Sequence, residues 1–331
     1  MTRTSNRGSL PWVERIISYW FEPTSPTDLA VSRVLFYAGL LAFYLSEDFS
    51  GWGSVANEFW MPIPAFQTFG LRPLSAGGLA VAQVLWRVTL AFSAVGLFTR
   101  VNMTAAAVLG FYLLGLPHNF GHVYHFDALL VITMVTLACS RAGDAYSLDA
   151  WRAGRTPPAP SGEYTWPIRA VWLSMSLVFF SAGVSKLRHG GIEWILSPNM
   201  ANILARAVYH VSDADPLTPI GLWIASHHAI AETGAAFALV TELTFVAALV
   251  SARARAVVVP AAALLLVAIR VLMGPTFSGF LIANVFWVPW RAVGARLAAW
   301  RAARARTPVM IDRQERSSQC ALEPSAPDQA R

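Results

Sequence analysis

Lysine is almost missing from this chain of 331 residues: of 25 basic positions, 24 are arginine and one, Lys186, is lysine. Charge of either sign is scarce, at 13% against 55% hydrophobic residues, which is too little to clothe a soluble surface of this size and excludes an ordinary water-soluble globule. Two cysteines, Cys139 near the end of an apolar run and Cys320 in a polar tail, exclude a disulfide framework and a thiolate metal site. The first thirty residues lack a compact apolar core followed by a small-residue cleavage site. No cleavable signal peptide is therefore expected, and the first span is expected to act as the targeting signal. A basic stripe with interleaved aromatics is also lacking: the net charge of +6 comes from arginines scattered at the ends of apolar runs, so nucleic acid is not an expected partner.

What the chain does have is apolar runs. Eight windows, 29–46, 78–98, 101–116, 128–140, 168–187, 229–250, 256–273 and 277–290, read as helices crossing a bilayer. The expected fold is all-α, a polytopic integral membrane helical bundle of about eight transmembrane helices. Residues 1–28 read as an interfacial N-terminal segment, 29–290 as the transmembrane domain with a Pro-rich linker at about 141–167, and 291–331 as a basic, largely disordered C-terminal tail. The segment 47–77 is too broken by Gly and Pro to span and is expected to fold over the bundle. Arginines collect at alternate span ends, which puts both termini in the cytoplasm and places Lys186 and the histidine-rich connection PHNFGHVYHFD (117–127) on the extracytoplasmic face.

Three constellations can carry chemistry. Lys186 ends the fifth span, one turn after Ala182 and Gly183, small residues that let a helix or ligand come close. A desolvated lysine amine can lose its proton and act as a base, which a guanidinium cannot. A lysine at a helix end can equally be an interfacial anchor. His118, His122 and His125, with Asp127, would share a helical face and could hold a divalent metal, although Pro117 and Gly121 interrupt the helix. A proton-carrying or hydrogen-bonding role for one histidine needs less geometry. The third group is Arg87, Glu242 and Arg270, ionisable residues inside spans that should face inward, with Glu242 pairing Arg87 or Arg270. The same group could line a translocation path.

The string FFSAGVSKLRHGGIEW (179–194), with YHFDALLVI (124–132) and AYSLDAW (145–151), resembles the horizontally transferred transmembrane (HTTM) domain, the membrane portion shared with vitamin K-dependent gamma-carboxylases. The resemblance covers most of 29–290. It implies that Lys186 is the base that deprotonates a reduced quinone and that His125 assists. It also implies that His122, Gly183, Trp194 and Arg270 are candidates for the substrate or cofactor pocket. Ser185 stands where the family has the first lysine of a pair. The implied cofactors are a vitamin K or menaquinone hydroquinone with O2 and CO2, and no metal. Membrane lipid and a small secreted peptide are the implied partners, and a bacterial plasma membrane the implied location. The leading expectation is a quinol-dependent carboxylase or epoxidase-type enzyme. The alternative is a non-catalytic membrane protein that binds a peptide or lipid, such as an export or immunity component.

Overall fold

The computed structural model describes residues 11–121, 126–156, 158–209 and 215–304. Among these residues the architecture is helical, with a single isolated bridge between Thr24 and Ser161 in place of any strand. Helix α1 (Pro11–Trp20) leads into α2 (Thr27–Phe43). The Gly- and Pro-broken segment that follows makes two short 3-10 turns and α3 (Pro64–Thr68), and it does cover the bundle: Phe66 is fully buried against Phe111 and Tyr112. A hairpin comes next, α4 (Ala76–Val95) and α5 (Thr99–Gly115), then α6 (Phe126–Ala138) and the short α7 (Leu148–Arg152). The longest helix, α8 (Trp166–Gly190), is followed by α9 (Glu193–Leu196), α10 (Asn199–Tyr209) and α11 (Ile220–Ala225). Finally α12 (His228–Thr244), α13 (Ala252–Met273) and α14 (Ser278–Ala283) close the bundle.

Each of the eight apolar windows falls on a helix, but their lengths differ. Five helical stretches, Ala76–Val95, Thr99–Asn119, Gly162–Gly190, His228–Leu249 and Ala252–Met273, are long and apolar enough to cross a membrane. The remaining three windows give α2 of 17 residues, α6 of 13, and α14 of 6 with a 3-10 extension Asn284–Trp287. The last is cut short because the chain enters it through Gly274 and Pro275 and leaves through Pro289, and a proline is a poor helix interior. Such a short piece is tolerated in a membrane bundle when its ends are encased in protein, and Phe280, Ala283, Phe286 and Trp287 are all buried.

Local chemistry sets the helix ends. Ser75 caps α4 by accepting the Gly78 amide, and Gly96, at φ 72°, ends it in the left-handed conformation that glycine adopts without penalty. The turn to α5 is so tight that Phe98 also sits at φ 42°. Asp149 of α7 completes it, accepting the Phe98 amide at 2.9 Å, the Thr99 amide at 2.6 Å and the Thr99 hydroxyl at 2.7 Å. Desolvation pushes the Asp149 carboxyl up, but the bonds from Thr99 and Phe98 outweigh it and hold the group below the usual carboxylate range.

The core is built from rings. Trp86, Phe36, Tyr37, Phe66, Phe245 and Phe286 are fully buried or nearly so, and Trp86 Nε1 donates to the Ala106 carbonyl at 3.1 Å. Close approach of α5 depends on Gly110, where a Cβ would lie 2.5 Å from Met134 Cε and 3.0 Å from Trp86 Nε1. The stretch 141–167 is knit into this unit: Tyr164 is buried, and its hydroxyl donates to Asp144 at 2.9 Å. Among the described residues, those up to Val288 form one compact unit, and 289–304 belong to a second. In the second, 290–304 is an exposed helix, and the rest of the expected C-terminal tail, 305–331, lies outside the described residues.

Candidate functional site

Lys186 faces α12. Gly183, one turn earlier on α8, allows the close approach: a Cβ there would stand 3.0 Å from Leu243 and 3.2 Å from the Glu242 Cβ, so a larger residue would push the α12 side chains away. The contact brings a carboxylate to the amine. Lys186 Nζ donates to both Glu242 oxygens, each at 2.7 Å, with the side chains only 25% and 10% exposed. The Trp194 ring lies 5.3 Å from the same nitrogen, and the stacked pair Phe179–Phe245, ring centroids 4.5 Å apart, packs the helix interface one to two turns away. An ammonium, a carboxylate and an indole face are thus gathered in a mostly water-poor seam.

This arrangement corrects the expected partner of Glu242. Arg87 is engaged elsewhere, donating to the carbonyls of Tyr44 (3.1 and 3.2 Å) and Glu47 (2.6 Å). Arg270 donates through Nη1 to the carbonyls of Asp215 (2.9 Å) and Gly274 (3.0 Å) at the end of α13. Both guanidiniums tie down chain ends where backbone oxygens have no helical acceptor role left. The bundle therefore pairs its buried carboxylate with the lysine and not with either arginine, which takes away the charge arrangement on which a translocation path was read.

Of the three expected histidines, His122 and His125 lie outside the described residues. His118 is buried, its Nε2 3.2 Å from Asp127 Oδ2, and the Tyr44 hydroxyl donates to Asp127 Oδ1 at 3.2 Å. Among the described residues no group of three His, Cys, Asp or Glu converges as a metal site would require. His118 and Asp127 instead stand in the wall of a cavity of about 690 Å³ between α5, α6 and α8, whose other lining includes Phe111, Val131, Ala182 and Ser185. On α8, therefore, Ala182 and Ser185 look into this cavity while the neighbouring Lys186 turns to Glu242. Of the Tyr44–Asp127–His118 chain, His118 and Asp127 belong to the histidine constellation read from the sequence, and Tyr44 is the member that the sequence did not point to.

A family model described as the HTTM domain matches residues 21–284. The chain belongs to the HTTM domain family. The match starts just after α1, takes in Lys186, Glu242, His118 and Asp127, and stops at the end of α14, so the HTTM domain holds both the ion pair and the cavity while α1 and the second unit fall outside it. Membership makes this an integral membrane protein of a gamma-carboxylase-like family. No curated protein and no solved structure matches the chain.

Proposed function

We propose that this HTTM protein is a quinol-dependent membrane enzyme of the carboxylase or epoxidase type, with Lys186 as its base. The observation that supports the reading is the position of the one lysine, held by a buried carboxylate inside an apolar bundle. The pair has two arrangements of equal net charge: ammonium with carboxylate, or free amine with carboxylic acid. Exchange between them costs no net charge in the membrane, so Glu242 can hold the proton while Lys186 takes one from a phenolic hydroxyl. Arginine could not do this. A hydroquinone of the vitamin K or menaquinone kind, if bound, would supply the electrons and, with O2, the base strength that deprotonating an inert C–H bond ahead of CO2 addition requires. The neighbouring cavity, within the range of roughly 300–1,000 Å³ that suits small-molecule sites, has mainly apolar walls with Ser185 and the His118–Asp127 pair as its polar points; Lys186 is not in its wall, so in this reading the amine must swing from Glu242 past Ser185 to meet a group bound there.

In this reading Trp194 covers the amine and Gly183 sets the helix spacing. His125 assists, with His122 and Arg270 as further pocket candidates, as the resemblance implies. The site opens to the extracytoplasmic face of a bacterial plasma membrane, where a small secreted peptide is the acceptor. The test is oxygen consumption and quinone epoxide formation by the protein in nanodiscs with reduced menaquinone or vitamin K. Wild type should turn over, and Lys186→Ala and Lys186→Arg should both fail. A folded wild type without turnover would overturn the reading. A second reading, a non-catalytic protein that binds a peptide or lipid, draws support from the same pair: both Glu242 oxygens are engaged by Lys186, as in a purely structural ion pair.

A further inference from the structure

At the other end of α8 from Lys186, three elements enclose a pocket of about 370 Å³. Arg15, Tyr19 and Trp20 come from one face of α1, Arg169 and Leu173 from the first turns of α8, and Val250 from the turn after α12. Most of its wall is ring and aliphatic carbon, with the two guanidiniums as its cationic points. Arg169 lies 4.2 Å above the Tyr19 ring and pairs through Nη2 with Glu22, whose side chain is 61% exposed. Its Nε and Nη1 are buried with no hydrogen-bond partner. Burying guanidinium donors unanswered is costly, and an acceptor that displaces the side chains covering them would relieve it. Arg255, stacked 4.0 Å from the Trp172 ring, adds a further positive charge that Arg169 feels directly.

The surroundings say what kind of ligand would reach this place. Helix α1 exposes Trp12, Ile16 and Ile17 while carrying Arg15, the pattern of a helix lying in the headgroup region. Beside the pocket, Val250 is 83% exposed and continues the apolar surface of the spans. A ligand at the junction meets cations on the headgroup side and hydrocarbon on the other. We propose that this pocket binds an anionic phospholipid, its phosphate on Arg15 and Arg169 and the start of an acyl chain against Leu173 and Val250. The site lies in part outside the family match, because α1 precedes it, and it is independent of any chemistry at Lys186.

The full-length protein in neutral detergent would be titrated with dioleoylphosphatidylglycerol, dioleoylphosphatidylcholine and inorganic phosphate, following retained lipid by native mass spectrometry and the thermal midpoint. Phosphatidylglycerol should be retained and raise the midpoint, with little effect from the other two. Arg15→Gln, on an exposed position, should weaken retention about fivefold, the usual worth of one cation near an anionic lipid. Val250→Glu, also exposed, should weaken it at least as much by setting a carboxylate on the wall. Equal retention of the two lipids, an equal effect of inorganic phosphate, or wild-type binding by both variants would each overturn the proposal.

Discussion

The core shared by α2, α4, α5, α6 and α8 is filled by large rings locked edge to face, as Tyr44 and Phe49 are around Trp86. The cluster that joins α10 to α12 is built from Met200, Leu204, Ala231 and Ala235, and beside it lies an apolar cavity of about 600 Å³. Aromatic packing leaves few alternatives, whereas methionine and alanine around a void leave several. Helix α12 belongs to both, through Phe245 just beyond its end and Ala231 and Ala235 near its start, and Glu242 lies between. The ion pair thus stands where a rigid core gives way to a looser one. Under the proposed function, a site that exchanges a proton and admits a bulky ligand would gain from that position, with α8 fixed on one side and room to adjust on the other.

The contrast can be broken by mutation, most severely first. Trp86→Ala should cost roughly 3–5 kcal/mol, since a large ring leaves a void its neighbours cannot fill. Leu204→Ala should fall at the low end for its class, about 2 kcal/mol, because the cavity beside it already lets the lobe relax. Equal losses in thermal or denaturant unfolding would mean that the two regions are packed alike. Gly183→Val should cost about 1–3 kcal/mol by overpacking and should part Lys186 from Glu242. Because Lys186 is the only lysine, the modification rate of its side-chain amine, mapped by peptide mass, reports that separation directly. An unchanged rate would show that α12 shifts with the added methyl groups and keeps the pair.

The smallest effect belongs to the end of the bundle away from the lysine. Asp149→Ala should cost about 1 kcal/mol as the loss of a helix cap. Its pH dependence has a definite sign. The folded-state carboxyl titrates below its unfolded value of about 4, so its contribution is complete above that pH and is lost as pH falls through the lowered folded value. Wild type and variant should therefore converge as pH falls through the lowered folded value, and a difference that does not shrink at all in acid would rule the linkage out.

Much of this was readable from residues alone. Composition and the apolar windows located the helices, and the lone lysine marked the seam. Helix lengths were less legible, because hydropathy does not see that an encased helix such as α14 can stop early. The partner of Glu242 was hidden for a different reason. Arg87, Arg270 and Lys186 are all cations of suitable depth, and the choice among them was made by Gly183, whose effect is a helix-packing distance that no periodicity records. Tyr44 and His118 likewise meet at Asp127 only because α2, α5 and α6 converge there.

The α4–α5 turn carries a consequence for the order of assembly. Phe98 is held in a left-handed conformation that costs a non-glycine residue roughly 1–2 kcal/mol, and what holds it is a carboxylate fifty-one residues further along the chain. Until that carboxylate is in place the two helices are joined by an unbraced connection. The turn can close only once α6 has packed and α7 has docked. The first hairpin is therefore completed by a residue on the far side of α6, and it should stay open to protease in nascent chains that end before Asp149.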